Sequence, residues 1–311
     1  MPELINIREY PVRDVLDLLL KDKTTKQNII WATDAYAQKG IAFSDKSQIT
    51  KEALLGMEPI ELQPRIQKTH AEQQERTRKK AEVFTPAWLC NRMNNDCDEQ
   101  YFGRRDVFNI ETTNHAWHVI EAKVEFPKGR TWQKYVDSRR LEITCGEAPY
   151  LVSRYDAASG EPILPLCRRI GILDRKLRIV GENTDTEAEW CEWATRAVQA
   201  SYGYEYQGDS LLIARINLLM TFCEYYRENW KKDVEKKLLK SIANIISWNL
   251  WQMDGLKDTV PLGKPYEKYH QQTLFEWIEP EKTEDKAVAL PCRIFNWRSN
   301  ESLLFKLCKE M

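Results

Sequence analysis

Residues 141–151, which read LEITCGEAPYL, decide the fold that this sequence predicts. A short apolar strand comes first, a tight turn follows at Cys145-Gly146-Glu147, and a helix begins at Pro149, because Pro is favoured at a first helical position. Gly146 has no side chain, so a ligand can approach the backbone of the turn closely. Such a unit directs backbone amides to the space beyond the carboxyl end of the strand, where ligands bind in open α/β sheets. The stretch therefore predicts an α/β fold with a ligand site beside Gly146.

The acid at the end of this strand indicates the kind of ligand. Glu142 suits a cationic or hydroxyl-bearing ligand better than a phosphate. The stretch also resembles the first cofactor motif of S-adenosylmethionine-dependent DNA adenine methyltransferases, in which an acid, a Pro and a small residue precede Cys-Gly-x-Gly-x-Phe-Leu. Ile143 stands where that Pro is usual, and Ala148 where the second Gly is usual. An ordinary strand–turn–helix connection is the alternative, because single Gly motifs are often fortuitous. The matching positions are Glu142, Thr144, Cys145, Gly146, Tyr150 and Leu151.

An aromatic-Thr-Pro step, Phe84-Thr85-Pro86, precedes this motif along the chain. The Thr oxygen can accept an amide hydrogen bond and Pro can take the first helical position, which predicts a capped helix. The same family has such a step ahead of its Gly motif, where it contacts the methionine end of the cofactor. The resemblance therefore implies that Phe84, Thr85 and Pro86 contribute to cofactor binding.

The most specific match lies in residues 203–219, where Gly-x-Glu is followed by Leu-x-x-Ala-Arg-x-Asn-Leu-Leu. This pattern resembles the second cofactor element of the family, a strand, an acid and a helix. It implies that Glu205 accepts hydrogen bonds from both ribose hydroxyls and that Tyr206 packs on the adenine face. Asp254, after a short strand, resembles the third element, whose acid accepts from the adenine amino group. The alternatives are a buried strand with a fortuitous acid at Glu205 and a plain Asp-Gly turn at Asp254.

The catalytic loop of the family, Asn-Pro-Pro-Tyr, has no clear counterpart, since the chain contains no Pro-Pro dipeptide. Polar residues near an aromatic one occur at Asn296 and at Asp34, with Tyr36 close by, and these three are weak catalytic candidates. Residues 263–266 keep only the Pro-Tyr pair. The sequence after Asp254 is shorter than the rest of the sheet and a target-recognition domain would need. The resemblance thus covers residues 76–256 and concerns cofactor binding rather than catalysis.

A basic segment lies between residues 65 and 80. Its residues predict a helix that is polar on all sides, and a solvated connector is one interpretation. The other interpretation is contact with DNA phosphates, which would position DNA without reading its sequence. The residues predicted to make such contacts are Arg76, Arg78, Lys79 and Lys80.

A different chemistry is conceivable at Asp106, Glu121 and Lys123. Their order has the form of a PD-(D/E)xK nuclease core, in which acids hold a metal ion and Lys orients the attacking water. The Pro expected before the Asp is missing, because Arg105 occupies that position. The simpler interpretation places Glu121 and Lys123 on the solvated face of a strand.

The composition limits the class of protein. The net charge of −1 gives no overall attraction to nucleic acid, so that a basic surface must be local. Eight scattered Cys without a Cys-x-x-Cys pair predict reduced thiols in a cytoplasm, rather than disulfides or a zinc site, and no metal site is predicted. The start of the chain does not resemble a signal peptide, and the longest apolar run is too short to span a bilayer. We therefore expect a cytoplasmic protein without a membrane segment.

Periodicity predicts the remaining elements more coarsely. Thr50 is placed to cap a short helix. The pattern predicts helices at residues 12–20, 190–200, 211–219 and 222–239, and short strands at residues 28–32, 170–174, 176–180 and 202–205.

Together these features predict a Rossmann-like methyltransferase core in residues 76–311, a mostly parallel sheet with helices on both faces, after a mainly helical region in residues 1–75. The resemblance implies a protein of a restriction–modification or phage-defence system, in a prokaryotic or phage-infected cell, that binds S-adenosylmethionine and methylates the adenine amino group in DNA. A protein partner would supply target recognition. The alternative is a catalytically inactive cofactor-binding regulator, complex subunit or anti-restriction protein, and a second alternative is the metal-dependent nuclease.

Overall fold

A computed structural model describes residues 4–80, 85–263 and 289–308. Helices predominate, and a three-stranded parallel sheet lies among them, so the chain is a mixed α/β protein with a small sheet. In chain order the helices are α1 (Val12–Leu20), α2 (Lys51–Leu55), α3 (His70–Lys80), α4 (Ala87–Phe102), α5 (Trp132–Val136), α6 (Ile172–Asn183), α7 (Glu187–Gln199), α8 (Gly208–Trp230), α9 (Lys236–Asn249) and α10 (Phe305–Cys308). The strands are β1 (Asn109–Glu111), β2 (Trp117–Val119), β3 (Arg140–Glu142), β4 (Ser201–Glu205), β5 (Leu250–Gln252), β6 (Arg293–Asn296) and β7 (Glu301–Leu304).

The parallel sheet has the order β3–β4–β5, and both neighbouring pairs run in the same direction. Helices α6 and α7 connect β3 to β4, and α8 and α9 connect β4 to β5, as parallel strands require crossover connections. Every residue of β4 is buried, which is typical of a central strand that is covered on both faces. The carboxyl ends of the three strands therefore lie at the same edge of the sheet.

Two hydrophobic clusters cover the sheet. The larger one includes most of the helices, and α8 is buried along most of its length. The smaller one contains Tyr202, Tyr204 and Trp251, packed with Cys292 and Phe305 of the C-terminal segment. Because side chains alternate along a strand, Tyr202 and Tyr204 of β4 point to the same face. The antiparallel hairpin of β6 and β7, together with α10, thus covers β4 and β5 on that face.

The N-terminal residues share the larger cluster. Helix α1 packs against α8 and α9. Near the sheet, the side chain of Gln252 accepts a hydrogen bond from the amide of Ile30 (2.9 Å) and donates one to its carbonyl (2.8 Å). Gly208 permits this arrangement, because a Cβ there would lie 2.0 Å from the Ile30 oxygen. The boundary predicted at residue 75 falls inside α3.

Several predicted elements are confirmed. Helix α1 has the predicted bounds, and α7 and β4 lie where the sequence predicts a helix and a strand. Thr50 caps α2, since its hydroxyl oxygen accepts the amide of Ala53 at 3.1 Å. In each case a local signal, either a regular apolar period or a cap, agrees with the tertiary packing.

The helix predicted at Pro149 is wrong. Residues 149–151 form turns, because the carbonyls of Tyr150 and Leu151 accept the amides of Ile172 (2.9 Å) and Leu173 (2.8 Å) instead of amides four residues further along the chain. The carboxylate of Glu142 accepts the amides of Tyr150 (3.3 Å) and Leu151 (3.0 Å). These bonds hold the chain against the end of β3, and the next helix, α6, begins only at Ile172.

Other boundaries also differ from the prediction. Helix α6 occupies most of residues 170–180, where two strands are predicted, and its residues 172–177, 179 and 180 are all buried, so that the run has no period that would separate a buried helix from a strand. The helix predicted at 222–239 is divided between α8 and α9, because Lys231 has a left-handed backbone (φ 53°) that ends α8. Residues 28–32 form isolated bridges instead of a regular strand.

Candidate functional site

A cavity of about 1150 Å³ lies at the carboxyl ends of β3 and β4. The outer side of β3 with its following turn, the residues after β4, the start of α8 and one side of α4 form its wall. Its position agrees with the rule that ligands bind beyond the carboxyl ends of parallel strands. Eight residues predicted to bind the cofactor line this one cavity: Thr85, Glu142, Thr144, Cys145, Gly146, Tyr150, Glu205 and Tyr206.

The carboxylate of Glu205 joins the two turns that form the floor of the cavity. One oxygen accepts the amide of Gly146 at 2.8 Å, and the other accepts the amides of Tyr206 (2.9 Å) and Gln207 (3.1 Å). Gly146 has a left-handed backbone (φ 53°), which Gly adopts without the steric cost that a side chain would add. Glu205 therefore fixes the relative positions of the residues that follow β3 and β4.

Cys145 has a structural role in the same turn. Its amide donates to the carbonyl of Tyr204 at 2.8 Å, and its side chain packs on Gly203, where an added Cβ would lie 3.2 Å from the Cys145 sulfur. Burial raises the pKa of the Cys145 thiol well above its usual value, so this thiol is not a nucleophile at neutral pH. The Gly of the Gly-x-Glu pattern thus packs closely against Cys145, and a larger residue there would need the Cys145 side chain to shift.

Ala148 occupies the position where the family usually has its second Gly. Its backbone is left-handed (φ 65°), a conformation that strains an L residue. Its amide donates to the carbonyl of Cys145 at 2.7 Å, and its carbonyl accepts the amide of Val152 at 2.9 Å. The turn therefore has a geometry that favours Gly at this position although the residue is Ala.

Glu142 is the second acid in the cavity wall. Burial is the largest of the causes that together raise the pKa of this carboxyl to about 8; the amides of Tyr150 and Leu151 act in the opposite direction, and the charge of Glu205 adds to the rise. Glu142 is therefore mostly protonated at neutral pH when nothing positive lies beside it. A cation in the cavity would favour its ionised form, which means that two carboxylates face a ligand with positive charge.

Helix α4 and Thr85, which lies just before it, form the other side of the cavity. Thr85 and Met93 line the wall, and the hydroxyl of Tyr150 lies 3.1 Å from the sulfur of Met93. The predicted cap is wrong by one position, because Pro86 itself precedes the first helical residue and no side chain caps α4. Pro86 is not part of the cavity wall. Phe84 lies outside the described residues.

Asp254 does not line the cavity. Its amide donates to the carbonyl of Thr259 (2.8 Å), and its carboxylate accepts the amide of Leu256 (3.1 Å) and lies 3.3 Å from the ammonium of Lys257. These contacts are those of an Asp-Gly turn. Asp254 is nevertheless near Tyr206, since its charge adds to burial in raising the pKa of that phenol.

The three weak catalytic candidates do not line the cavity either. Asn296 accepts hydrogen bonds from the guanidinium of Arg139 (3.2 Å) and the amide of Arg298 (3.1 Å). Asp34 is exposed, and the hydroxyl of Tyr36 donates to Asp209 at 2.9 Å. The structure therefore brings together the predicted cofactor residues, but it leaves the predicted catalytic residues apart from them.

A buried ionic cluster lies at the start of α8, and the sequence analysis does not predict it. Asp209 is fully buried and receives Lys68 (3.0 Å), Arg76 (2.9 Å) and Tyr36. Burial alone would raise the pKa of Asp209, but the charges of Lys68 and Arg76 outweigh it and lower this pKa. Arg76 also donates to the side chain of Gln207 (2.9 Å), which lines the cavity. The phosphate contact predicted for Arg76 is therefore not supported, because its guanidinium is buried in this cluster.

The rest of the basic segment remains on the surface of α3. Arg78 is exposed, and it lines a groove of about 320 Å³ together with Arg65 and His70. The side chains of Lys79 and Lys80 lie outside the described part of the structure. Arg78 is thus the one residue of the predicted phosphate set whose described side chain faces solvent.

The residues of the nuclease alternative do not form a metal site in the described ranges. Asp106, Glu121 and Lys123 are exposed. Among the residues that the structure describes, no three His, Cys, Asp or Glu side chains come close enough to hold a metal ion. A smaller charged cavity beside Asp106, of about 470 Å³, does not include Glu121 or Lys123 in its wall.

Comparisons with known proteins give no further guidance. No family model, no curated protein and no solved structure matches this chain. Within residues 4–80, 85–263 and 289–308, no helix has both the length and the apolar character that a membrane crossing needs. The interpretation of the cavity therefore depends on its own geometry and charge.

Proposed function

We propose that this chain is a Rossmann-like, nucleoside-binding protein of the methyltransferase class, with its ligand in the cavity at the carboxyl ends of β3 and β4. More specifically, we propose that the ligand is S-adenosylmethionine and that the protein acts in DNA adenine methylation. The observation that supports this most is the convergence on one cavity of eight residues from three separate stretches of the sequence. Chance would not favour this outcome, because the stretches lie far apart along the chain.

The charge of the cavity favours a cationic nucleoside over a phosphate-bearing one. Glu142 and Glu205 both line it: the carboxylate of Glu205 would repel a pyrophosphate, and Glu142 gains a second negative charge only beside a cation. S-adenosylmethionine carries a sulfonium and an ammonium group as well as ribose hydroxyls, and these groups complement two acids. Tyr206 provides an aromatic surface beside Glu205, as an adenine ring requires.

The size of the cavity leaves room for more than the cofactor. Its volume of about 1150 Å³ exceeds the range of about 300–1,000 Å³ that is usual for small-molecule sites. An enzyme that modifies a base must take that base out of the helix into such a space. The additional volume is consistent with a second component beside the cofactor.

In this proposal, the chain's own residues bind and orient the cofactor. S-adenosylmethionine supplies, when bound, an activated methyl group for transfer to a nucleophilic nitrogen. Glu205 would hold the ribose, Glu142 would face the positive charge, and Tyr206 would contact the adenine ring. Holding two reactants in line can account for a large part of a rate enhancement. Arg78 on α3 would contact DNA phosphates.

A catalytically inactive cofactor-binding subunit is the second candidate. It is favoured by one observation, namely that Asn296, Asp34 and Tyr36 are all outside the cavity wall. Both candidates predict cofactor binding, and only the first predicts methyl transfer by this chain alone.

Calorimetric titration with S-adenosylmethionine tests the feature that both candidates share. We expect wild-type protein to bind it and Glu205→Gln to bind at least about tenfold more weakly, because a charged acceptor is lost. Glu192→Gln, an exposed acid on α7, is the matched control and should bind like wild type. Equal binding by wild type and Glu205→Gln would refute the proposed site.

Transfer of a labelled methyl group to mixed-sequence DNA then separates the two candidates. Transfer that depends on Glu205 supports the methyltransferase, whereas binding without transfer supports the inactive subunit. Cleavage of the DNA with magnesium, without need of the cofactor, would favour the nuclease alternative instead.

A further inference from the structure

The cavity continues as a groove along the outer edge of β3, since all residues of the range 139–144 contribute to its wall. The amide of Arg140 donates to the carbonyl of Ala200 (3.0 Å), towards β4. Successive backbone groups alternate in direction along a strand, so the N–H and C=O groups of Leu141 and the N–H of Ile143 point away from β4, while the carbonyl of Ile143 accepts the hydroxyl of Thr144 at 2.8 Å. Among the described residues, no strand pairs with this edge. The groove therefore has a row of main-chain donors and acceptors along one side.

The side chains on this edge are apolar and uncovered by the described residues. Leu141 is 46% exposed and Ile143 is 63% exposed, although strands of parallel sheets are normally buried on both faces. Leu141 is in register with Tyr202, so both point to the face that the C-terminal hairpin covers. Tyr202 is buried beneath that cover and Leu141 is not. The cover thus ends between β4 and β3.

Helix α4 forms the opposite wall of the groove through Met93, Asn94 and Cys97. The edge of β3 is therefore recessed behind a helix instead of forming a flat, open border. A recess of this kind accepts a single extended chain, whereas the broad edge of a second copy's sheet would meet α4. Arg139 and Arg140 line the amino end of the groove and favour an acidic residue at that end of the occupant.

We propose that this groove binds an extended segment of a partner polypeptide, which adds to β3 as a fourth strand of the sheet. Main-chain hydrogen bonds to Leu141 and Ile143 would provide the binding energy, as in other cases of strand addition. An apolar side chain of the segment would cover Leu141 and Ile143, and an acid would face Arg139 or Arg140. A second copy of this chain is the less fitting occupant because of the recess.

The direction of the added strand determines where the partner residues that follow it would lie. In a parallel arrangement, the residues that follow the partner strand would emerge at the carboxyl edge of the sheet, beside Glu142 and Gly146. Resting on the proposed function, this placement lets the partner supply the catalytic groups, since the predicted catalytic residues Asn296, Asp34 and Tyr36 are outside the cavity wall of the described residues. The docking itself does not depend on that function.

Hydrogen exchange of the full chain tests whether the edge is free. We expect the amides of Leu141 and Ile143 to exchange at least about tenfold faster than that of Arg140, because only the latter is bonded within the sheet. Equal protection of all three amides would overturn the proposal, since the edge would then already be paired.

A synthetic strand of about six residues, Glu-Val-Thr-Val-Thr-Val, serves as the probe of docking. We expect it to slow the exchange of Leu141 and Ile143 at least about tenfold. Two further peptides are N-methylated, one at the odd positions and one at the even positions. The peptide whose methylated amides face β3 should no longer slow the exchange, and the other should still slow it, because strand addition uses the amides of one side only. Equal effects of the two peptides would contradict strand addition.

Substitutions complete the test. Leu141→Lys and Ile143→Lys should each weaken binding of the synthetic strand at least about tenfold. The control Leu256→Lys, at a site 98% exposed, should not change this binding. Sedimentation that shows dimers of wild type and monomers of Leu141→Lys would assign the edge to a second copy and overturn the proposal. Titration with S-adenosylmethionine on the same samples keeps the two proposals apart, because docking and cofactor binding can each fail while the other persists.

Discussion

The two ends of the parallel sheet both contain buried charged groups, but they use them differently. At the carboxyl end, Glu142 and Glu205 accept backbone amides and face a cavity. At the amino end, Lys176 donates to the carbonyls of Ser138 (2.6 Å) and Ala200 (3.2 Å), and it is completely buried. Buried side chains that pair with the backbone thus leave a cavity at one end of the sheet and fill the other. Substitutions at the carboxyl end should therefore change binding, and those at the amino end should change folding.

Among the buried groups at the amino end of the sheet, which we call the closed end, substitution of Arg215 should change the stability of the protein most. It is completely buried and donates to the carbonyls of Leu250 (2.7 Å), Lys21 (3.0 Å) and Ser247 (3.3 Å). It thereby joins α1, α8 and β5. We expect Arg215→Met to lower the free energy of unfolding by about 3 kcal/mol or more, because several buried carbonyls lose their donor.

Urea denaturation measures this effect. The control Arg227→Met, at an exposed ion pair with Asp233, should cost less than about 1 kcal/mol. If Arg215→Met were no more destabilising than Arg227→Met, the amino end would not be the structural end of the sheet.

Glu142 should make the stability of the protein fall as the pH rises. Its pKa in the folded chain is about 8, above the ordinary value of 4.5, because burial disfavours the charged form. The contribution of this group is therefore fully present below pH 4.5 and is lost as the pH rises through 8. Between these pH values, the free energy of unfolding of the wild-type protein should fall by on the order of a few kcal/mol. Glu142→Gln should remove this fall. Denaturation at pH 5 and pH 9 measures it, with Glu192→Gln as the control that should keep the wild-type slope.

Lys176 should give the opposite slope at higher pH. Burial lowers the pKa of its ammonium group from 10.5 to about 7 in the folded chain. Its contribution is fully present above 10.5 and is lost as the pH falls through 7, so stability should rise with pH in this window. Lys176→Met should abolish the rise, whereas the exposed Lys231→Met should leave it. A wild-type protein with no such rise would mean that Lys176 is not held in the closed end as described.

Ala148 should give the smallest effect. Its left-handed backbone strains a non-Gly residue, so Ala148→Gly should raise the free energy of unfolding by up to about 1 kcal/mol. The control Ala194→Gly, in the middle of helix α7, should lower it by about 1 kcal/mol. Thermal denaturation compares the two. A loss of stability in both variants would show that the turn does not need Gly geometry.

Short sequence motifs predict the turn after β3 and the acid at the end of β4, because these features depend on neighbouring residues only. Glu205 is the last residue of β4 and Gly146 lies in the turn after β3, so that motif and position coincide. Asp254 was assigned by a weaker pattern, and its contacts are those of a turn within the next few residues. Signals that depend on neighbouring residues thus identify turns and strand ends, but they do not establish which strand ends share a cavity.

The cluster at Asp209 could not be predicted, because its partners are distant in sequence. Tyr36, Lys68 and Arg76 precede it by more than one hundred residues and meet it only through tertiary packing. For the same reason, Arg76 resembled a surface cation among its basic neighbours. The helix predicted at Pro149 is wrong for a similar reason, since the carbonyls of Tyr150 and Leu151 accept the amides of Ile172 and Leu173, about twenty residues further along the chain, and not those of a local helical turn.

The most direct test of the open end is a calorimetric titration of the full chain with S-adenosylmethionine at pH 7, in buffers of different ionisation enthalpy. We predict one molecule bound per chain with release of a proton, because a cation beside Glu142 lowers the pKa of this carboxyl from about 8. Glu142→Gln should bind without this release. Absence of binding, or binding that Glu205→Gln leaves unchanged, would contradict the account.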